Sequence, residues 1–265
     1  MRDMVAAMGN VLKTLEVCEA VSVHQPIGVR ELAREIDMPK SSVQRSLETL
    51  QAAGWLVRSE GGRWSLSLRC AVIGGRAGQA ATLRDLARPA MEQLREITDE
   101  SVRLWAPDGD RIVLLENMES RQAVRSVLQP GGITIPLHAS AAGKAMLARM
   151  SEDEVDQLLA QPLIALTPQT ITDPAVLREQ LHSIRRKGYA ETHREAWKDV
   201  GAVAAAICDP SGRPVAAIAL ALPMHRLTQQ LTRRYGKAVA EAVEALSAEL
   251  AGRSGGAPAV LIKSD

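Results

Sequence analysis

Between Pro39 and Gly54 the chain carries Lys40, Ser41, Ser42, Gln44, Arg45 and Thr49, interleaved with Val43, Leu47 and Leu50. At about 100° per residue the three apolar side chains share one helical face, and the hydroxyls, amide and cations fall on the other together with Glu48. Short hydroxyls, amides and guanidinium groups are the donors that read base edges and hold phosphates. Arg45 and Gln44 are the candidates for base edges, whereas Lys40, Ser41 and Ser42 suit the phosphate backbone. A second basic site follows in Arg58 and Arg63, which flank Glu60-Gly61-Gly62.

Other residue pairs suggest chemistry less strongly. Gly143-Lys144 is not a phosphate loop, because His138 occupies the position of the upstream glycine and Ala145 replaces the Ser or Thr. It reads instead as a structural helix start. His193-Arg194-Glu195 has the HxE of zinc deaminases, but no PCxxC follows. His138 and Ser140 resemble a base and nucleophile, yet GxSxG is absent and no third orienting group is identifiable. Cys18, Cys70 and Cys208 lie far apart without CxxC pairing, which disfavours a zinc site or disulfide scaffold and leaves reduced, buried thiols. No catalytic constellation, metal site or cofactor motif emerges.

The elements that must position the basic residues are readable on both sides of them. Met4, Met8, Val11, Leu12, Leu15 and Cys18 recur at helical steps and predict a first helix ending in VSVHQPIG. Gly28 opens a short second helix with Val29, Leu32, Ala33 and Ile36 inward, and Asp37-Met38-Pro39 turns the chain into the third, which stops at Gly54. Trp55–Ser59 and Arg63–Leu68 then alternate as two strands of a hairpin. Helix, helix, turn, helix and basic hairpin is the order of a winged helix-turn-helix. The overall charge of +1 means that any basic surface is local, and Lys40 to Arg69 carries five cations, Lys40, Arg45, Arg58, Arg63 and Arg69, against Glu48 and Glu60.

Residues 69–79, RCAVIGGRAGQ, form a linker of small residues between a DNA-binding domain at 1–68 and a second domain at 80–252, with a disordered tail at 253–265. The second domain begins with a helix over 80–97 built on Leu83, Leu86, Ala90, Met91 and Leu94. Strands are predicted at 101–105 and 111–116 around Pro107-Asp108-Gly109-Asp110, at 122–128, and at 203–208 and 215–220 around Asp209-Pro210-Ser211-Gly212. Helices are predicted at 140–150, after the capping box of Ser151 and Glu154, after Asp173-Pro174 as far as Lys187, and at 225–250. The fold class is α+β, with a helix-flanked antiparallel sheet. No run approaches a membrane span and no signal peptide is readable, so a cytoplasmic protein is expected.

Three motifs, GVRELAREIDMPKSSVQRSLETLQAAGWL, IPLHASAAGKAML and GYAETHREAWKDVGAVAAAICDPSGRPVAAIALALP, resemble the IclR family of bacterial transcriptional regulators in order and spacing along nearly the whole chain. The resemblance implies an N-terminal winged helix, a linker helix and a GAF-like C-terminal domain that binds a small organic effector. It further implies homodimers, paired into tetramers on double-stranded operator DNA.

By the same resemblance the effector residues are Ala141 and Ala142, Thr192 and Glu195, Ala202, Ala219 and Ala221, with Val127 and Ile135 on an apolar wall. The chain departs from relatives that bind small oxo acids. Ala219 and Ala221 stand where those have serines, Thr192 replaces an aspartate after Gly188-Tyr189, and Asp199 stands where a glycine is usual. Fewer donors compensate a small carboxylate less well for its lost hydration. The expected effector is therefore larger or more apolar than a two- or three-carbon acid, such as an aromatic acid.

Overall fold

The computed structural model describes residues 2–75, 78–128 and 133–254. Contacts divide the chain into Met1–Ala81 and Thr82–Asp265.

The first unit contains α1 (Arg2–His24), α2 (Val29–Glu35), α3 (Lys40–Ala52), the hairpin β1 (Leu56–Arg58) and β2 (Trp64–Leu66), and α4 (Leu68–Gly75). Val43, Leu47 and Leu50 of α3 are buried with Val17, Val21, Leu32, Leu56 and Trp64, as the helical spacing requires. Ile27 and Trp64 exchange both backbone hydrogen bonds, at 3.0 and 2.8 Å, which ties the entry to α2 onto the hairpin. Asp37 takes a left-handed φ of 49° in the turn before α3, a conformation that Asp tolerates. Gly54, at φ 79°, ends α3 where the sequence predicts.

The first helix departs from expectation. Val11, Leu12 and Leu15 are exposed, and Val17 and Val21 supply the buried contacts. The helix continues through VSVH, predicted to lie beyond its end, so its second half docks on α3, with the Thr14 and Ser46 hydroxyls 3.3 Å apart. The side chains of Met4 and Met8 lie outside the described residues.

The second unit begins within α5 (Gly78–Thr98), which leads into a six-stranded sheet of β3 (Ser101–Asp108), β4 (Arg111–Met118), β5 (Thr134–Pro136), β6 (Ala190–His193), β7 (Val200–Cys208) and β8 (Pro214–Pro223). The order is β5-β4-β3-β8-β7-β6, antiparallel throughout. Between β5 and β6 run a 3₁₀ turn (Leu137–Ala139), α6 (Ala141–Leu147), α7 (Glu152–Leu159) and α8 (Pro174–Lys187), and α9 (Gln229–Ser254) closes the unit.

Side-chain alternation sorts the two sheet faces. Val102, Leu104, Val203, Ala205, Ile207, Ile218, Leu220 and Leu222 pack with α5 and α9. Trp105, Ala204, Ala206, Ala217 and Ala219 pack with α6 and α8. On that second face alanine opposes alanine across β7 and β8, at Ala202–Ala221, Ala204–Ala219 and Ala206–Ala217. Small side chains let α6, itself rich in alanine, approach closely.

Three expectations are corrected. Residues 122–128 are not a strand. Their backbone is held instead by side chains, Arg226 donating to the Val124 carbonyl at 2.8 Å and Asn117 to that of Leu128 at 2.6 Å, and β5 takes the place beside β4. The last helix begins at Gln229 rather than 225, because Arg226 is drawn into a bidentate pair with Glu100 at 2.9 and 2.7 Å. The three cysteines are free thiols but only half-buried. The linker positions 76–77 and the tail from 255 onward lie outside the described residues.

Candidate nucleic-acid interface and ligand cavity

On α3 the docking stripe turns inward and leaves Lys40, Ser41, Arg45 and Thr49 exposed, with Ser42 and Gln44 half-buried. Gln44 is oriented by a hydrogen bond to Glu48, one turn on, and the Thr49 hydroxyl donates to the Arg45 carbonyl at 2.8 Å. An open concavity beside this face is lined by Gly28, Val29, Arg30, Glu31, Arg34, Lys40, Gln44 and Arg58. Four cations thus surround one carboxylate, a surface suited to phosphates. Arg30 and Arg34 were not singled out from the sequence. Their signal was the basic spacing along α2, which acquires meaning only when α2 is placed beside the start of α3.

The two wing arginines differ. Arg58 sits 5.5 Å from the centroid of Trp64 and lines the concavity. Arg63 spends Nε on the Pro26 carbonyl at 2.9 Å and Nη2 on Glu31 at 3.0 Å, so it braces the hairpin against the entry to α2.

In the second unit a small, partly open cavity lies between the alanine face of the sheet and α6. Ile135, Ala141, Ala142, Thr192, Ala202, Ala219 and Ala221, all named from the sequence, line it together. Arg103, Trp105, Ser140 and Trp197, which were not named, also line it. Arg103 was visible as a single cation in SVRLW. Only the assembled sheet, with helices packed on both faces, shows that both sides of that strand are covered, which leaves the side chain 1% exposed.

Two named residues fall outside the cavity. Val127 is 53% exposed, between Ser126, which accepts from Arg103, and Leu128, which packs against the core. The Glu195 carboxylate is bound by the Lys144 ammonium at 2.6 Å and by the Ile171 backbone N–H at 3.3 Å. Gln180 accepts a further bond from Lys144 at 2.8 Å, and Thr167 and Thr170 donate to the Glu195 carbonyl at 3.2 and 2.7 Å. Glu195 therefore anchors the segment that brings Ala196 and Trp197 to the cavity. Burial pulls the Lys144 ammonium below its usual range, and Glu195 opposes that shift.

The remaining chemical motifs have structural occupations. His138 Nε2 lies 3.0 Å from the Ile164 carbonyl, which it can serve only as donor, and burial holds its pKa below the ordinary 6.5. The Ser140 hydroxyl caps α6 by accepting from the Gly143 N–H at 3.0 Å. Neither is poised to activate the other. No cluster of His, Cys, Asp and Glu suited to a metal occurs among the described residues.

A winged helix with a basic face, joined to a sheet domain with a cavity beside α6, defines the class of ligand-responsive transcriptional regulators. The comparisons are more specific. The IclR helix-turn-helix domain profile matches residues 11–60, and the profile for the bacterial transcriptional regulator IclR C-terminal domain matches 76–248. The chain belongs to the IclR family of bacterial transcriptional regulators, which combine a DNA-binding helix-turn-helix with an effector-binding C-terminal domain.

It is 29% identical to the HTH-type transcriptional regulator KdgR of Escherichia coli, over 92% of this chain and 93% of that protein. The crystal structure of the Thermotoga maritima IclR, 27% identical, superposes with a TM-score of 0.72 over 92% of this chain and 99% of that one. An IclR homologue from Microbacterium hydrocarbonoxydans, solved in complex with 4-hydroxybenzoate, has the same fold at 24% identity, with a TM-score of 0.75 over 91% and 98% of the two chains. KdgR is a transcriptional regulator, and no helix among the described residues of the present chain is long and apolar enough to cross a membrane.

Proposed function

We propose that the protein is a cytoplasmic, non-enzymatic regulator that reads its operator with α3 and responds to a small organic acid held in the cavity of the second unit. The observation that carries this reading is the pairing, in one chain, of a basic concavity beside α3 with a cavity whose lining unites residues from β3, β5, β6, β7, β8 and α6. Gln44, Arg45 and Thr49 face the bases. Lys40, Ser41, Ser42, Arg30, Arg34 and Arg58 hold the backbone, while Arg63 steadies the wing. The protein acts as a homodimer, with tetramers on DNA, because two recognition helices must meet major grooves about one turn apart. An effector that binds one dimer arrangement better than another shifts that spacing and with it the affinity for DNA.

The test is selection from a random duplex library by the full chain, followed by titration of the enriched duplex with and without a metabolite panel. Enrichment of a two-fold symmetric site, and a ligand that both raises Tm and alters DNA affinity, is expected. Recovery of no preferred sequence would remove the operator reading. A preferred sequence with no ligand response would leave a ligand-independent DNA-binding regulator.

A further inference from the structure

Arg103 is a buried cation without an anionic partner. It projects from β3 onto the alanine face, opposite Ala219 of β8 and Asn117 of β4, and only 1% of it is exposed. Nε donates to Asn117 Oδ1 at 3.3 Å, and Nη2 donates to the Ser126 carbonyl and hydroxyl at 2.8 Å each. The guanidinium carbon stands 5.9 Å from the centroid of the Trp197 ring. Nη1 has no hydrogen-bond partner among the described residues, and no carboxylate lies within ion-pair distance. The closest charge influence, Glu119, is itself paired with Arg125 at 2.9 Å. Burial brings the guanidinium pKa down to about 10, so the group keeps its charge at neutral pH.

Keeping a charge out of water without a counter-charge costs several kcal/mol, on the order that proteins usually avoid. Neutral acceptors and one aromatic face compensate part of that cost. They also fix the guanidinium plane. A rigid cation that lines a cavity and retains an unused donor is arranged for an anion that is not part of the chain.

We propose that Arg103 is the carboxylate anchor of the cavity, and that the ligand is a monocarboxylic acid with an apolar body. This rests on reading the cavity as the effector site. One cation matches one negative charge. A second carboxylate would be buried against alanines, Trp105, Trp197 and Ile135, with no counter-charge among the lining residues. Trp105, Trp197 and the flat alanine floor suit a ring or short chain. The Ser140 hydroxyl accepts from the Gly143 N–H and keeps its own O–H to donate, and the Thr192 hydroxyl has no hydrogen-bond partner among the described residues, so both can take uncharged polar substituents. The missing serines at Ala219 and Ala221 therefore remove hydroxyl contacts without removing the means of holding a carboxylate.

The test is calorimetric titration of the full chain with benzoate, 4-hydroxybenzoate, phenylacetate and hexanoate, each beside its neutral primary amide. At least one acid is expected to bind, with its amide weaker by roughly 10- to 100-fold, the usual span for a hydrogen bond to a charged group. Arg103→Gln should weaken the acid by a similar factor and the amide by much less. Amides that bind as well as their acids, or an Arg103→Gln variant of unchanged Tm that still binds the acid normally, would overturn the anchor and leave the effector cavity standing. Binding by neither series would overturn both. Should Arg103→Gln fail to fold, the acid and amide comparison on the unaltered protein still decides.

Discussion

Lys144 Nζ lies 2.6 Å from Glu195 Oε2, with the two side chains 0% and 6% exposed. The pair joins α6 to the segment after β6, and thereby a helix that lines the cavity to Trp197, which lines it too. Removing one member strands the other without solvent, which typically costs about 3–5 kcal/mol. Lys144→Met should therefore lower the urea midpoint strongly, and Lys144→Met with Glu195→Leu should recover much of the loss. A single substitution that costs under about 1 kcal/mol would show that water reaches the pair.

His138 makes stability depend on pH. Burial depresses its folded pKa below the ordinary 6.5, so the unfolded chain binds its proton more readily. That contribution is fully present above 6.5, is lost as the pH falls from there toward the folded pKa, and is level below it. Urea melts at pH 7.5, 6.5 and 5.5 should show a decline that is shallower in His138→Asn. Parallel curves for the two proteins would assign the decline to other groups.

Gly143 admits no side chain. A Cβ there would stand 2.0 Å from the Leu137 carbonyl oxygen, a backbone atom that cannot swing aside. Gly143→Ala is expected to cost about 3 kcal/mol, the upper end of ordinary overpacking, and to weaken binding of any ligand that contacts Ala141 and Ala142. An unchanged Tm would mean that α6 can move away from the 3₁₀ turn.

At the DNA face, Arg45→Ala should relax base preference at one position by about 1–3 kcal/mol. Lys40→Ala or Arg58→Ala should weaken every sequence alike and reduce the slope of log affinity against log salt by about 0.9 each. Arg63→Ala should act on hairpin stability, since its Nε and Nη2 hold Pro26 and Glu31, and should flatten the salt slope less than Arg58→Ala does. A titration in which Arg63→Ala alone flattens the slope would exchange the roles of the two wing arginines.

Local patterns determined much of this molecule. The stripe of Val43, Leu47 and Leu50, the stop at Gly54, the Ser151–Glu154 capping box and the Asp173-Pro174 helix start all act within a turn or two of chain, and each stands where the sequence places it. The cavity alanines were found by resemblance to relatives, because an alanine in a strand carries no sign of what it faces. Tertiary structure decided the rest. Arg103 is buried only because helices cover both faces of the sheet around β3, and Glu195 is a brace rather than a lining residue only because Lys144, 51 positions away, meets it. Val127 is exposed between Ser126, which accepts from Arg103, and Leu128, which packs against the core. Whether a polar side chain is spent or available depends on which distant partner reaches it first, and that is fixed by packing across the fold rather than by spacing along the chain.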